Sequence, residues 1–274
     1  MTSTPKGSLI IIGGHEDKED DCAILSEVAG RAQGGRLVVV TVATQLPEEV
    51  AAEYKAVFKR LGVTSVDALD IRTREQAYDE AQVQKLADAS VIFFTGGDQL
   101  RITSQIGDSR VFRCMHEIYR RGGTIVGTSA GAAAMPETML IGGSSDQSFR
   151  ISALEMAPGL ALLPNVVIDS HFAERGRMGR LLGAVAQNPR NLGVGIDEDT
   201  AIVVNDNRSF TVLGSGAVYV VDGTRISYSS LSEENPAGIV SIDNVRLHVL
   251  GKGDRFDLQE RRPLREHVVE HSRS

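Results

Sequence analysis

Hydrophobic and polar positions alternate along this chain in blocks of two kinds. Short runs at 9–12, 37–42, 66–71, 91–94 and 124–127 are apolar or β-branched almost throughout. Between most of them lie longer stretches, 20–32, 47–61, 75–87 and 112–120, in which apolar residues recur at helical spacing. Runs without a polar face belong to strands covered on both sides. Helices between successive strands make such strands parallel.

After Pro164 the pattern changes. A strand at 166–168, a helix at 175–187 and a strand at 194–196 continue the alternation. From 201 to 250 short strands follow closely, with turn residues at Asn205-Asp206-Asn207 and Asp222-Gly223, which reads as antiparallel hairpins appended to the parallel sheet. No repeat, linker or low-complexity tract interrupts the chain. The expected architecture is α/β, a mostly parallel sheet flanked by helices with hairpins in the C-terminal part, forming a single domain over 1–274. The charged tail beyond Asp254 is expected to be loosely held.

Composition narrows the classes of function. With 274 residues, 42% of them hydrophobic and 24% charged, the chain can bury a full core and does not resemble a disordered segment. A net charge of -7 argues against a nucleic-acid partner; it suits a cationic or zwitterionic substrate and equally serves solubility. Cys22 and Cys114 are too few for a disulfide framework or a cysteine zinc site, and no cofactor motif or metal-ligand cluster is visible. A cofactor-free, metal-free mechanism is therefore expected. No apolar stretch precedes Leu9 and none approaches the roughly 18–20 residues of a membrane span, so the expectation is a cytoplasmic protein without a secretory signal.

Gly127-Thr128-Ser129-Ala130-Gly131 carries the clearest chemistry. G-x-S-x-G between a strand and a helix is the pattern of a nucleophile elbow, where flanking glycines remove side chains that would collide across a sharp turn. A serine nucleophile needs a base and the base needs an orienter. Of six histidines, His171 follows the strand at 166–168 and stands at the kind of strand end where open α/β sheets place their sites. His15 follows the first strand, and its role is left open. Asp197, Glu198 and Asp199 follow the next strand after His171, and spacing does not choose among them. Backbone N–H groups of Ala130 and of Gly97, in Gly96-Gly97-Asp98, are the candidate oxyanion donors.

These blocks resemble the cyanophycinase family. The resemblance rests on Ile12-Gly13-Gly14-x-Glu16-Asp17-Lys18, Thr95-Gly96-Gly97-Asp98-Gln99-Leu100, Gly127-Thr128-Ser129-Ala130-Gly131-Ala132, Asp169-x-His171-Phe172 and Gly195-Ile196-Asp197-Glu198, and covers about residues 7–220. It implies a serine peptidase related to the aspartyl dipeptidases, with a flavodoxin-like, class I glutamine-amidotransferase-like fold. The implied triad is Ser129, His171 and Glu198, so the resemblance selects Glu198 over its acidic neighbours. The implied activity is exopeptidase cleavage of the α-amide backbone of cyanophycin, an aspartate polymer with arginine on each side chain, to β-Asp-Arg dipeptides. Gln99, Asp169, Ser170, Arg175, Arg177 and Arg180 fall at the family's substrate-binding positions, and a homodimer is implied. The family commonly has Gln where Ser170 stands, so one substrate contact is expected to differ.

Other readings remain open at this level. Arg175, Arg177 and Arg180 read by spacing alone as a solvated helix face. The enzyme could act on short aspartyl peptides, or the chain could bind an Asp/Arg polymer without cleaving it. An α/β-hydrolase esterase fits less well, because there the acid precedes the histidine.

Overall fold

The five N-terminal apolar runs become parallel strands. In the computed structural model, which describes residues 7–32, 34–141, 154–232 and 239–265, they are β1 (Ser8–Ile12), β2 (Arg36–Val40), β3 (Ser65–Leu69), β4 (Ala89–Phe94) and β5 (Thr124–Thr128). Their order is β5-β4-β2-β3 with β1 beside β5, every pairing parallel. The helices are α1 (Ala23–Ala32), α2 (Pro47–Arg60), α3 (Glu80–Leu86), α4 (Gln99–Ile106), α5 (Arg110–Arg120), α6 (Ala130–Ala134) and α7 (Met178–Gln187). Hydrophobic clusters cover both faces of the sheet: Leu9, Ile11, Ile92 and Ile125 pack to one side, and Ile10, Ile12, Val91 and Phe93 to the other. Strands buried on both faces have no use for a polar period, which is why these runs read as continuous apolar segments.

The C-terminal part divides differently from the expectation. After β6 (Thr138–Leu140) and β7 (Met156–Pro158), β8 (Val166–Ser170) and β9 (Leu192–Ile196) pair in parallel with each other, but not with the central sheet. Further strands are β10 (Thr200–Asn205), β11 (Ser209–Gly214), β12 (Val218–Asp222), β13 (Tyr228–Ser229), β14 (Ile242–Asp243), β15 (Arg246–Leu250), β16 (Arg255–Asp257) and β17 (Arg262–Leu264). β10 lies antiparallel against β1 and extends the main sheet through β11, β16 and β17 to nine strands. β12 and β15 join β9 and β8 in a second, four-stranded sheet. Part of the tail beyond Asp254 is thus held as β16 and β17; residues 266–274 lie outside the described residues, as do 1–6.

Local chemistry accounts for the shifted boundaries. α1 begins at Ala23 rather than near residue 20, because the Asp17 carboxylate accepts from the amides of Glu19, Asp20 and Cys22, and Cys22 has φ 46°. The stretch at 75–87 is broken: Glu75–Tyr78 is a 3-10 turn, extended Asp79 (ψ 131°) interrupts it, and α3 follows. α4, which the periodicity does not mark, starts where the Asp98 side chain accepts from Leu100 N at 2.9 Å and buries Ile102 and Ile106. The helix expected from 175 begins at Met178, so Arg175 and Arg177 lie in the loop that leaves β8. Among the described residues no helix is long and apolar enough to cross a membrane.

Candidate active site

Ser129 sits where β5 turns sharply into α6, with φ 53° and ψ -111°, outside the regions open to an ordinary side chain. The turn is fixed by packing. A Cβ on Gly127 would stand 2.5 Å from the carbonyl carbon and oxygen of Gly131, and one on Gly131 would stand 2.5 Å from Phe94 O. Ser129 N–H donates to Ile12 O (3.0 Å), which anchors the bend to β1. Beneath it the Glu16 carboxylate, 4% exposed, accepts from Thr128 Oγ1 at 2.6 Å and Tyr54 Oη at 2.5 Å. Glu16 appears in the sequence only as part of a motif; its place under the residue preceding Ser129 is visible in three dimensions alone.

The Ser129 hydroxyl donates to His171 Nε2 at 2.8 Å, and His171 Nδ1–H donates to Glu198 Oε1 at 2.7 Å. The two imidazole nitrogens are therefore distinct: the carboxylate holds the proton on Nδ1 and leaves Nε2 as an acceptor. His171 lies just past the end of β8 with φ 48°, its amide donating to Gly13 O at 2.8 Å. Glycine at 14 is obligatory beside it, since a Cβ there would meet the His171 ring at 2.3 Å and φ is 107°. At the end of β9, Gly195 leaves room for the Phe172 ring, which a Cβ would meet at 2.5 Å. Phe172 is itself almost fully buried, and the turn after His171 is packed against β9 in this way.

Glu198 is separated from its two rivals by geometry. Asp197 is buried and accepts from the amides of Ala173 (2.9 Å) and Ala217 (3.1 Å), so it staples two loops. Asp199 accepts from Asp17 N and from Ser215 Oγ. Burial holds the His171 imidazole below its ordinary value, overcoming its hydrogen bond to Glu198, which would raise it. It is neutral near pH 7, as a base must be. Burial works to raise the Glu198 carboxyl, but hydrogen bonds from His171 and His15 outweigh it and hold the group below the usual carboxylate range. His15 is the unexpected member: its Nδ1 lies 2.8 Å from Glu198 Oε2, and its ring stands edge-on to His171 at 5.2 Å.

Beside the hydroxyl opens a cleft of about 250 Å³. Gly97 and Ala130, the candidate oxyanion donors, line it with Ser129. Gly96 brings its chain to within 3.4 Å of Ser129 Cβ, measured from the Cβ it lacks. With five residues α6 is little more than a turn, so any donor it offers the cleft is a single amide rather than a summed helix dipole. Gln99, Asp169, Ser170, Arg175, Arg177 and Arg180 line the same space. The arginines are not a solvated helix face. Arg180, 7% exposed, donates through Nε to Asp169 Oδ2 at 2.9 Å and through Nη2 to Asp169 Oδ1; Arg177 donates to Asp169 Oδ1 at 3.1 Å and Ser170 O at 2.6 Å. Asp169, 1% exposed, is thus occupied by two arginines of its own chain and is not open to a substrate guanidinium. Arg175 is exposed in the cleft.

Known proteins resemble this chain over most of its length. The model of peptidase family S51 matches residues 9–212. A Nostoc sp. protein named cyanophycinase is 39% identical over 262 residues, spanning 94% of this chain and 88% of its own. A cyanophycinase of Geminocystis herdmanii is 36% identical over 262 residues, spanning 94% and 96%. The crystal structure of a peptidase from an acI-B1 actinobacterium, 20% identical, shares the fold with a TM-score of 0.68 over 93% of this chain and 98% of that one. The family match covers both the strand ends that carry the serine and histidine and the acid that follows, and this chain belongs to peptidase family S51, as a serine peptidase.

Proposed function

We propose that this peptidase hydrolyses the α-amide backbone of cyanophycin from a chain end, releasing β-Asp-Arg dipeptides through an acyl-enzyme on Ser129. His171 Nε2 takes the hydroxyl proton as Oγ attacks the scissile carbonyl, then passes it to the leaving amine. Glu198 fixes the Nδ1–H tautomer and stabilises the imidazolium that forms. The amides of Gly97 and Ala130 receive the negative charge that develops on the carbonyl oxygen. Water then takes the place of the leaving amine, and the same proton transfers run in reverse.

The observation that carries this reading is the hydrogen-bonded line from Glu198 through His171 to Ser129, opening onto an arginine-bearing cleft. The polymer offers carboxylate and guanidinium groups in alternation. Arg175 and Arg177, with Gln99, suit the carboxylate ends, because a guanidinium fork binds a carboxylate in a bidentate manner. Asp169 serves by holding Arg177 and Arg180 in place. Ser170 puts a short side chain at the cleft wall, leaving room where a longer residue would reach substrate. The relatives named cyanophycinase, at 36–39% identity over nearly the whole chain, support the substrate class. A homodimer is part of the same proposal, read by sedimentation equilibrium.

Incubation with purified cyanophycin, followed by mass spectrometry, tests the proposal. Wild-type protein is expected to release β-Asp-Arg, and Ser129→Ala is expected to release none. Intact polymer alongside cleaved Asp-X dipeptides would replace the polymer with short aspartyl peptides as the substrate class.

A further inference from the structure

Two histidines share one carboxylate at the rim of the site. His15 Nδ1 meets Glu198 Oε2 at 2.8 Å while His171 Nδ1 meets Glu198 Oε1 at 2.7 Å. Ligand atoms taken one from each of the three residues lie within 4.8 Å of one another. The convergence is built into the backbone: both histidines hold left-handed conformations, φ 46° and 48°, which non-glycine residues adopt at a cost and keep where the surroundings impose them. Catalysis by Ser129 has no need of a second imidazole on the carboxylate. The His15 side chain is 73% exposed, so the triangle faces solvent.

We propose that His15, His171 and Glu198 form an inhibitory site for a divalent transition metal of the zinc class. Two imidazole nitrogens and a carboxylate with an open fourth position are the donor set of three-ligand zinc sites. A tetrahedral ion with bonds of about 2.0–2.1 Å holds neighbouring ligand atoms about 3.3 Å apart. The present contacts of 2.7 and 2.8 Å, one to each carboxylate oxygen, therefore open by roughly half an ångström as the ion replaces the bridging hydrogens, and ligand atoms that stand farther apart, within 4.8 Å, draw together. Exposed His15 and Glu198, whose side chain is 27% exposed, have the freedom to do so. The exposed Glu174 carboxylate, which accepts from Glu198 N at 3.2 Å, adds negative charge nearby; Arg175 opposes it.

The consequence for catalysis follows from the tautomer. A metal on His171 Nδ1 displaces the proton to Nε2, and Nε2–H then donates to the Ser129 hydroxyl instead of accepting its proton. The base is lost although no atom of Ser129 is touched. Inhibition in this sense rests on His171 acting as the base; metal binding does not, and the two are measured separately.

Binding is read on Ser129→Ala protein, titrated with ZnCl2 by calorimetry and with CoCl2 by its visible absorption, with and without His15→Asn. Asparagine tolerates the left-handed backbone and removes the imidazole. One ion per chain is expected, with affinity at least tenfold weaker in the His15→Asn form; thermal melting checks that both forms fold. Inhibition is read on the wild-type chain by cyanophycin cleavage, with a midpoint matching the binding constant and reversal by EDTA. The zinc concentration that halves the remaining activity of His15→Asn is expected to rise at least tenfold. No stoichiometric binding, or equal affinity with and without His15, overturns the site. Binding by His15 without loss of cleavage overturns the inhibition and counts against His171 as the base.

Discussion

At the scale of single residues, three acidic side chains in a row differ entirely in what they touch. Asp197 and Asp199 spend their oxygens on loop amides and a serine, whereas Glu198 alone among them meets His171. Composition and spacing treat Asp197, Glu198 and Asp199 as equals, and in the sequence only family resemblance ranks them. The difference has a kinetic signature. Glu198→Gln is expected to lower kcat by about 10²–10⁴-fold with little change in KM, the effect of losing the correct tautomer. With His171 as the proposed base its neutral form is the active one, so wild-type kcat/KM is expected to fall as pH drops through a His171 value held below the ordinary one. Because Glu198 raises that value, its replacement moves the acid limb further down. Asp197→Asn is expected to leave the limb in place. A pH–rate profile in which Asp197→Asn, and not Glu198→Gln, removes activity would contradict the assignment. The elbow itself was legible, because its glycines and serine are contiguous. Gly14 and Glu16 acquire their roles from residues distant in sequence, His171 for the one and Tyr54 and Thr128 for the other, and the trio of His15, His171 and Glu198 leaves no mark as a metal-ligand spacing because His15 stands far from the other two.

At the scale of elements, the loop between β8 and α7 shows how periodicity misleads. Arg175, Arg177 and Arg180 fall in a stretch that reads as one helix from 175 to 187 and invite a solvated face, yet α7 starts only at Met178, and Arg180 points inward onto buried Asp169. A hydrophobicity pattern cannot detect a buried ion pair, since both partners count as polar. Opposite effects are expected from two neighbouring arginines. Arg180→Ala removes one of the two arginines on buried Asp169 and should lower unfolding free energy by about 3 kcal/mol, the low end for a broken buried pair because Arg177 stays. Arg175→Ala, exposed in the cleft, should leave stability unchanged and raise KM for the polymer about tenfold or more, the size of a lost hydrogen bond between charged groups. Urea denaturation and steady-state kinetics on both variants check this, and a reversed pattern would contradict the division. α4 escaped the periodic reading because eight residues give too little repeat, though Asp98 marks its start.

At the scale of the whole molecule, the parallel sheet was readable from its unbroken apolar runs, while the split into two sheets was not. Nothing in the runs at β8 and β9 says that they share a sheet with β12 and β15 rather than pairing with β5. The site depends on that split. Ser129 leaves the nine-stranded sheet, and His171 and Glu198 leave the four-stranded one, so the hydrogen-bonded line of the three bridges both. One hydrophobic cluster runs through both sheets, joining Leu9, Ile11 and Ile125 to Ile168, Val194 and Val220. We therefore propose that the chain acts as one domain, in which docking of the sheets aligns serine with histidine. In the proposed mechanism Ser129 is a nucleophile made reactive by His171. Covalent labelling with a fluorophosphonate, followed by peptide mass mapping, reads this directly. A single adduct is expected on the peptide containing Ser129, formed at least 10³-fold more slowly in His171→Gln. An adduct on another residue, or equal labelling of Ser129 in both proteins, would contradict it.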